Sequence, residues 1–304
     1  FAYYNGSSWS FIKGNNNIAS AWSTKGNTGT TAANFIGTID NQDVIFKRWN
    51  VKAGLLSFTN TAFGYHTFVA NTTGSFNSAF GVDALISNTT GNSNVAIGLD
   101  ALYSNTSGFS NTANGTSALV FNTTGSHNTA NGAEALYFNS TGSHNTANGD
   151  SALHRNTIGY SNVAMGSSAL YKNTDRNNLV AIGDSALYNN GTGAVAFFEG
   201  SYNSAVGSKA LFNNTTGSSN TAIGFEALYD NTSGYYNTAN GYHALRANKT
   251  GLYNAANGAG ALKYNISGQS NTANGFFALN ANTRGSGNTA TVYYALLFDP
   301  TGSN

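Results

Sequence analysis

Residues 111–127 read NTANGTSALVFNTTGSH and residues 128–144 read NTANGAEALYFNSTGSH. The two stretches agree at most positions, and the spacing between them is 17 residues. Working outward, the same pattern starts at 60, 77, 94, 111, 128, 145, 162 and 179, then at 203, 220, 237, 254, 271 and 288. The step from 179 to 203 is 24 residues, so seven are inserted there, within an irregular stretch at about 194–202. Repeat position 3 is Ala in all fourteen copies, from Ala62 to Ala290. Position 1 is Asn in thirteen, with Leu179 the exception; position 5 is Gly in thirteen, lost at Val292; position 9 is Leu in thirteen and Phe68 in the other. Self-similarity at a fixed short period is the signature of stacked units that bury their apolar faces only against neighbours.

Seventeen residues are too few for a helix pair with loops, and Gly and Asn in every copy oppose helix. They suffice for short strands and turns. The pattern predicts an all-β parallel β-solenoid (a β-roll or β-helix) of about fourteen coils over 60–304, preceded by a small β-rich N-terminal cap over 1–59. One strand is expected at N-T-A-x-G, a second at x-A-L-x, and a turn at N-T-T-G, where Asn and Gly tolerate positive φ. Coils ~4.8 Å apart make a rod of roughly 65–70 Å. The Ala at position 3 and Ala-Leu at positions 8 and 9 form the thin core, and the position-1 Asn side chains form a ladder along one corner. In the cap, all three Trp (Trp9, Trp22, Trp49) fall before residue 60, and 35–39 and 43–47 read as strands around a 40–42 turn.

The N-x-A-x-G and A-L steps of residues 60–304 resemble the head repeats of YadA-like trimeric autotransporter adhesins. They also look like repeats of bacterial tail-fibre-like and surface proteins. The resemblance implies a left-handed parallel β-roll and a role in adhesion to a host or matrix.

Composition narrows the function further. Charged residues are 8% of the chain and the formal net charge is +1, so no basic face points to nucleic acid or anionic lipid. No apolar run is long enough to span a membrane. The chain opens at Phe1 without Met or leader, as a mature or trimmed form would. Cys is absent, the 12 carboxylates are scattered, and the glycines sit at fixed repeat positions and form no phosphate loop. No catalytic residue, cofactor or metal is expected. A surface of neutral amides and hydroxyls suits an extracellular or cell-surface protein of bacterial type. The expected function is a structural subunit of an extracellular filament or surface fibre that assembles head to tail through its solenoid ends. The expected partner is a further copy of the chain, with glycans or a host surface as others. The alternatives are a trimeric adhesin head or phage tail-fibre segment that binds host or glycan, and an ice-binding solenoid. Val95, Val163 and Val180 interrupt the position-2 Thr row that ice binding would want.

Several residues are candidates for these roles. The last repeat is more apolar than the others and the chain stops on completing it. Tyr293, Tyr294, Leu297 and Phe298 are therefore expected at an end-on interface, with Phe1, Tyr3, Tyr4, Trp9 and Phe11 supplying a strand from the next subunit. Position 4 is apolar at Phe63, Phe80, Ile97, Met165, Ile182, Val206 and Ile223, and Asn at 114, 131, 148, 240, 257 and 274. Such alternation predicts a partly exposed row whose apolar blocks meet a partner. Position 12 carries glycan-acceptor sequons at Asn71, Asn88, Asn105, Asn122, Asn139, Asn190, Asn214, Asn231, Asn248 and Asn265; the competing reading is that N-T-T-G is turn chemistry. Tyr103, Tyr137, Tyr171, Tyr188 and Tyr229 share position 10, where rings could stack on sugars. His127 and His144 share position 17 without carboxylate company.

Overall fold

The computed structural model describes residues 42–297, 301 and 302, and the backbone of Ala2–Tyr4 and Trp9–Phe11. The chain divides into two compact units, Phe1–Val44 and Ile45–Asn304. In the first, β1 (Ala2–Tyr4) and β2 (Trp9–Phe11) pair antiparallel, Tyr3 opposite Ser10. The expected strand over 35–39 lies outside the described residues. In the second, β3 (Val44–Arg48) and β4 (Val51–Leu56) precede fourteen short strands, from β5 (Thr61–Phe63) to β18 (Thr289–Ala290). From β5 to β18 each strand pairs parallel with the next, in chain order. The register is the repeat itself: Ala113 faces Ala130, which faces Ala147. Across the insertion β12 (Val180–Ile182) still pairs with β13 (Ser204–Val206), Ala181 opposite Ala205. At the other end β4 pairs antiparallel with β5 and covers the edge of the first coil. β3 and β4 thus belong to the same sheet as the coils.

The strand occupies repeat positions 2 to 4, where alternation turns position 3 inward. Every position-3 Ala from Ala62 to Ala273 is fully buried, as are the position-8 Ala and position-9 Leu from Ala84 and Leu85 to Ala278 and Leu279. Position 5 closes the strand with φ near +140°, and at Gly115 a Cβ would lie 2.5 Å from the carbonyl oxygen of Gly132 in the next coil. Glycine is required there twice over, by conformation and by contact.

The expected second strand at x-A-L-x does not form. Leu102 has φ +53°, Leu119 +53° and Leu136 +52°, with positive φ at position 7 as well (Asp100, Ser117, Glu134). The segment is a run of turns. Its amides still bind neighbouring coils, but in both directions. Position 7 donates back a coil (Asp100 N to Val82 O, 3.0 Å) and position 9 donates forward (Leu102 N to Ala118 O, 3.0 Å). A left-handed Leu costs ~1–2 kcal/mol. Full burial of its side chain, worth ~1.5–3 kcal/mol, offsets this.

The polar corner is built from two buried asparagine ladders, one more than the sequence suggested. At position 1, Asn111 Nδ2 donates to Asn94 Oδ1 of the preceding coil (3.2 Å) and to its own coil's Gly125 carbonyl (2.8 Å). At position 12, Asn122 Nδ2 donates to Asn105 Oδ1 (2.8 Å) and to the same Gly125 carbonyl (3.0 Å). Both amides are fully buried, and the position-15 carbonyl serves both.

The insertion interrupts this scheme locally. Position 15 is normally Gly, because a Cβ at Gly108 would sit 2.4 Å from the Gly125 carbonyl oxygen. In the coil before the insertion it is Arg176, 5% exposed. Its guanidinium donates to the carbonyls of Ala194 (2.9 Å), Ala196 (2.9 Å) and Phe197 (3.4 Å), and its Nε lies 3.2 Å from Asp175. Leu179 replaces the position-1 Asn and is buried, so Asn203 Nδ2 turns to Asn190 of the other ladder (3.4 Å).

Candidate interaction surfaces

The strand wall presents position 4 outward in every coil. Phe63, Phe80, Ile97, Met165, Ile182, Val206 and Ile223 are 36–44% exposed. Phe63 and Phe80 stack at 6.0 Å. The intervening asparagines hydrogen-bond coil to coil: Asn114 to Asn131 (3.3 Å), Asn131 to Asn148 (3.3 Å), Asn257 to Asn274 (2.8 Å). The expected half-exposed row of alternating blocks is what the fold presents.

Position 10 forms a continuous ring column: Tyr137, His154, Tyr171, Tyr188, Phe212 and Tyr229, with successive centroids 4.9–5.3 Å apart and planes within 12°. Arg246 lies 5.0 Å over Tyr229 and closes it. This corrects the sugar-stacking reading of Tyr137, Tyr171, Tyr188 and Tyr229, because their faces are taken by each other. Tyr103 stands outside the column with Val120 between. His154 is 9% exposed. Burial pushes its imidazole below the ordinary value, against an opposing pull from Glu134, whose Oε2 lies 3.2 Å from Nε2.

The position-12 sequons read differently in the structure. Asn88, Asn105, Asn122, Asn139, Asn190, Asn214, Asn231, Asn248 and Asn265 are fully buried, and their Nδ2 groups are spent inside the ladder; Asn71, at its first rung, donates to Gly74 O (3.0 Å). A glycan on a buried rung would dismantle the coil, so the folded row is turn chemistry. His127 and His144 stack at 4.9 Å and 8°. Among the described residues no group of three or more His, Asp or Glu could hold a metal ion.

Of the end-on candidates, Tyr293 and Tyr294 are exposed and extend rows begun one coil earlier, Tyr293 on Phe276 (5.5 Å) and Tyr294 on Phe277 (5.6 Å). Leu297 is half-buried. Phe298, Phe1 and the side chains of Tyr3, Tyr4, Trp9 and Phe11 lie outside the described residues. The backbone of Ala2–Tyr4 is already paired with Trp9–Phe11, so this segment offers a hairpin edge and not a single spare strand.

One surface the repeat reading missed is a groove of about 580 Å³ beside the insertion, lined by Phe198, Glu199, Tyr202, Ser219, Tyr235 and Tyr236 among others. Glu199 accepts the backbone N–H of Val195 (2.6 Å) and Ala196 (3.0 Å) through Oε2, which holds its carboxyl below the usual range. The signal was available: the 24-residue step itself, with Arg176 just before it.

The fold defines the chain as a tandem-repeat parallel β-solenoid. No family model, curated protein or solved structure matches it.

Proposed function

We propose that this chain is a structural subunit of an extracellular filament or surface fibre that associates with further copies of itself. The observation that carries the reading is the position-4 row. Between coils 111 and 271 it runs three asparagines, four apolar residues, three asparagines, symmetric about the step from Ile182 to Val206. Two copies laid antiparallel across this face would set apolar block on apolar block and amides on amides. That is the layout of an isologous contact with an apolar centre and polar rim. Ten coils of ~4.8 Å and a strip ~14 Å wide give roughly 1,300 Å² over both partners, within the ~1,200–2,000 Å² of stable interfaces. End-on association adds to this. Among the described residues β18 has a sheet neighbour on one side, and in this reading the outer faces of Tyr293 and Tyr294 receive the next subunit's hairpin edge.

Negative-stain microscopy and sedimentation of the purified chain test the proposal. Filaments, or paired rods that lengthen with concentration, are expected. Deleting residues 1–12 should remove the lengthening and leave the pairing. Single rods at tens of micromolar would overturn the reading. The resemblance to adhesin heads supports a surface location in the same way, and a second, ligand-binding role is favoured by the groove at the insertion.

A further inference from the structure

Repeat position 17 is the residue before each new coil. Around the insertion its backbone is uniform: φ is +62° at Tyr202, +56° at Ser219, +56° at Tyr236 and +56° at Tyr253. The hydrogen-bond register is uniform too. Ser219 N donates to Ser201 O (3.1 Å), Tyr236 N to Ser218 O (3.1 Å) and Tyr253 N to Tyr235 O (3.2 Å). The four Cβ bonds therefore leave the coils in one direction and in one column. Tyr236 and Tyr253, one coil apart, stack at 5.4 Å and 9°. Between Tyr202 and Tyr236 the column holds Ser219, which has no ring. Two coil spacings of ~4.8 Å then separate the tyrosines, and a ring lying over Ser219 would sit ~5 Å from each, the spacing of stacked rings. Tyr202 and Tyr236 are 52% and 56% exposed, so the gap opens to solvent.

We propose that this gap is a saccharide-binding slot, with one pyranose ring of a neutral sugar held between Tyr202 and Tyr236. The surrounding chemistry selects the class. The groove's other polar side chains are hydroxyls, including Thr216, Ser218 and Ser233, with the Glu199 carboxylate and no Lys or Arg. Ser218 already donates to Phe198 O (2.7 Å), which leaves its oxygen to accept from a ligand hydroxyl. Hydroxyls and one pinned carboxylate suit the vicinal hydroxyls of a sugar, whereas the carboxylate repels phosphate and sialic acid. The insertion walls the slot, because Phe198 and Glu199 of its irregular stretch line the groove beside the position-17 column. This inference goes beyond filament assembly and does not rest on it.

The test is ligand-observed saturation-transfer NMR on the full chain, with neutral trisaccharides of glucose, mannose, galactose and N-acetylglucosamine at millimolar concentration. At least one should receive magnetisation, with a Kd of roughly 0.1–1 mM. Tyr202→Ala and Tyr236→Ala should each weaken binding tenfold or more, and Tyr103→Ala should leave it unchanged. Ser219→Tyr is the decisive variant. It completes the column with a side chain that the row already accepts at Tyr236 and Tyr253, so it should abolish binding while circular dichroism and Tm hold. Should that variant misfold, Ser219→Leu fills the same gap. The proposal is overturned by silence from every trisaccharide, by binding that survives the filled gap, or by preference for a nucleoside monophosphate or sialylated sugar. The readout is binding and not polymerisation, so it stands or falls apart from filament formation.

Discussion

Asn105 Nδ2 donates to Asn88 Oδ1 at 2.9 Å across the 17 residues that separate them, and both amides are fully buried. The rung repeats in the next coil, where Asn122 Nδ2 donates to Asn105 Oδ1. Each Nδ2 donates both to the neighbouring rung and to its own coil's Gly carbonyl, and each Oδ1 accepts from the next rung. Replacing Asn105 with Leu would leave Asn88 Oδ1 and Asn122 Nδ2 short of a partner at once. At ~1–3 kcal/mol for each unsatisfied buried group, the expected loss is about 2–6 kcal/mol. Chemical denaturation of the variant checks this, and hydrogen exchange should rise first in coils 77–127. Uniform loosening along the solenoid would contradict nearest-neighbour stacking.

Two glycines should respond differently to Ala. At Gly98 a Cβ would meet the Gly115 carbonyl oxygen at 2.5 Å, with φ +133°; at Gly193 nothing lies within 4 Å, with φ +76°. Gly193→Ala should cost about 1 kcal/mol, the conformational term alone. Gly98→Ala should cost at least twice as much, because two coils must separate. Equal shifts in denaturation midpoint would show that coil contact is not what position 5 requires.

Arg176→Ala removes the hydrogen bonds to Ala194, Ala196 and Phe197 carbonyls. Charged hydrogen bonds contribute ~1.5–3 kcal/mol each, but the loop can turn its carbonyls to water, so a net loss of ~2–3 kcal/mol is expected. Amide exchange should accelerate at 191–202 while coils 77–144 keep their protection. An unchanged loop would mean that the guanidinium does not hold it.

His154 predicts an acid-side loss of stability. Its folded value is lowered, chiefly by burial, so below the ordinary value of 6.5 the unfolded chain takes up the proton first. Its contribution is complete above pH 6.5 and declines as pH falls toward the lower folded value. His154→Tyr keeps a ring in the column and removes the titration. The difference in stability between the two proteins should change between pH 7 and pH 5. A constant difference would refute the assignment.

The repeat period, the inward Ala at position 3 and Leu at position 9, a strand within N-T-A-x-G and the partly exposed position-4 row were all legible in the sequence. Each follows from a residue recurring at a fixed place in the coil, where a stacked neighbour imposes the same need every time. The left-handed Leu at position 9 was not legible. Leu102 adopts φ +53° only because a fully buried side chain offsets a local cost, which no propensity encodes. The meaning of N-T-T-G at position 12 also waited on tertiary structure. The same Asn105 reads as a glycan acceptor by sequon and as a ladder rung by burial, and only the coil above and below it decides between them. The slot over Ser219 is the clearest case. Serine at one position 17 is unremarked in a repeat, and it becomes a gap one ring wide only when stacking sets Tyr202 beneath it and Tyr236 above.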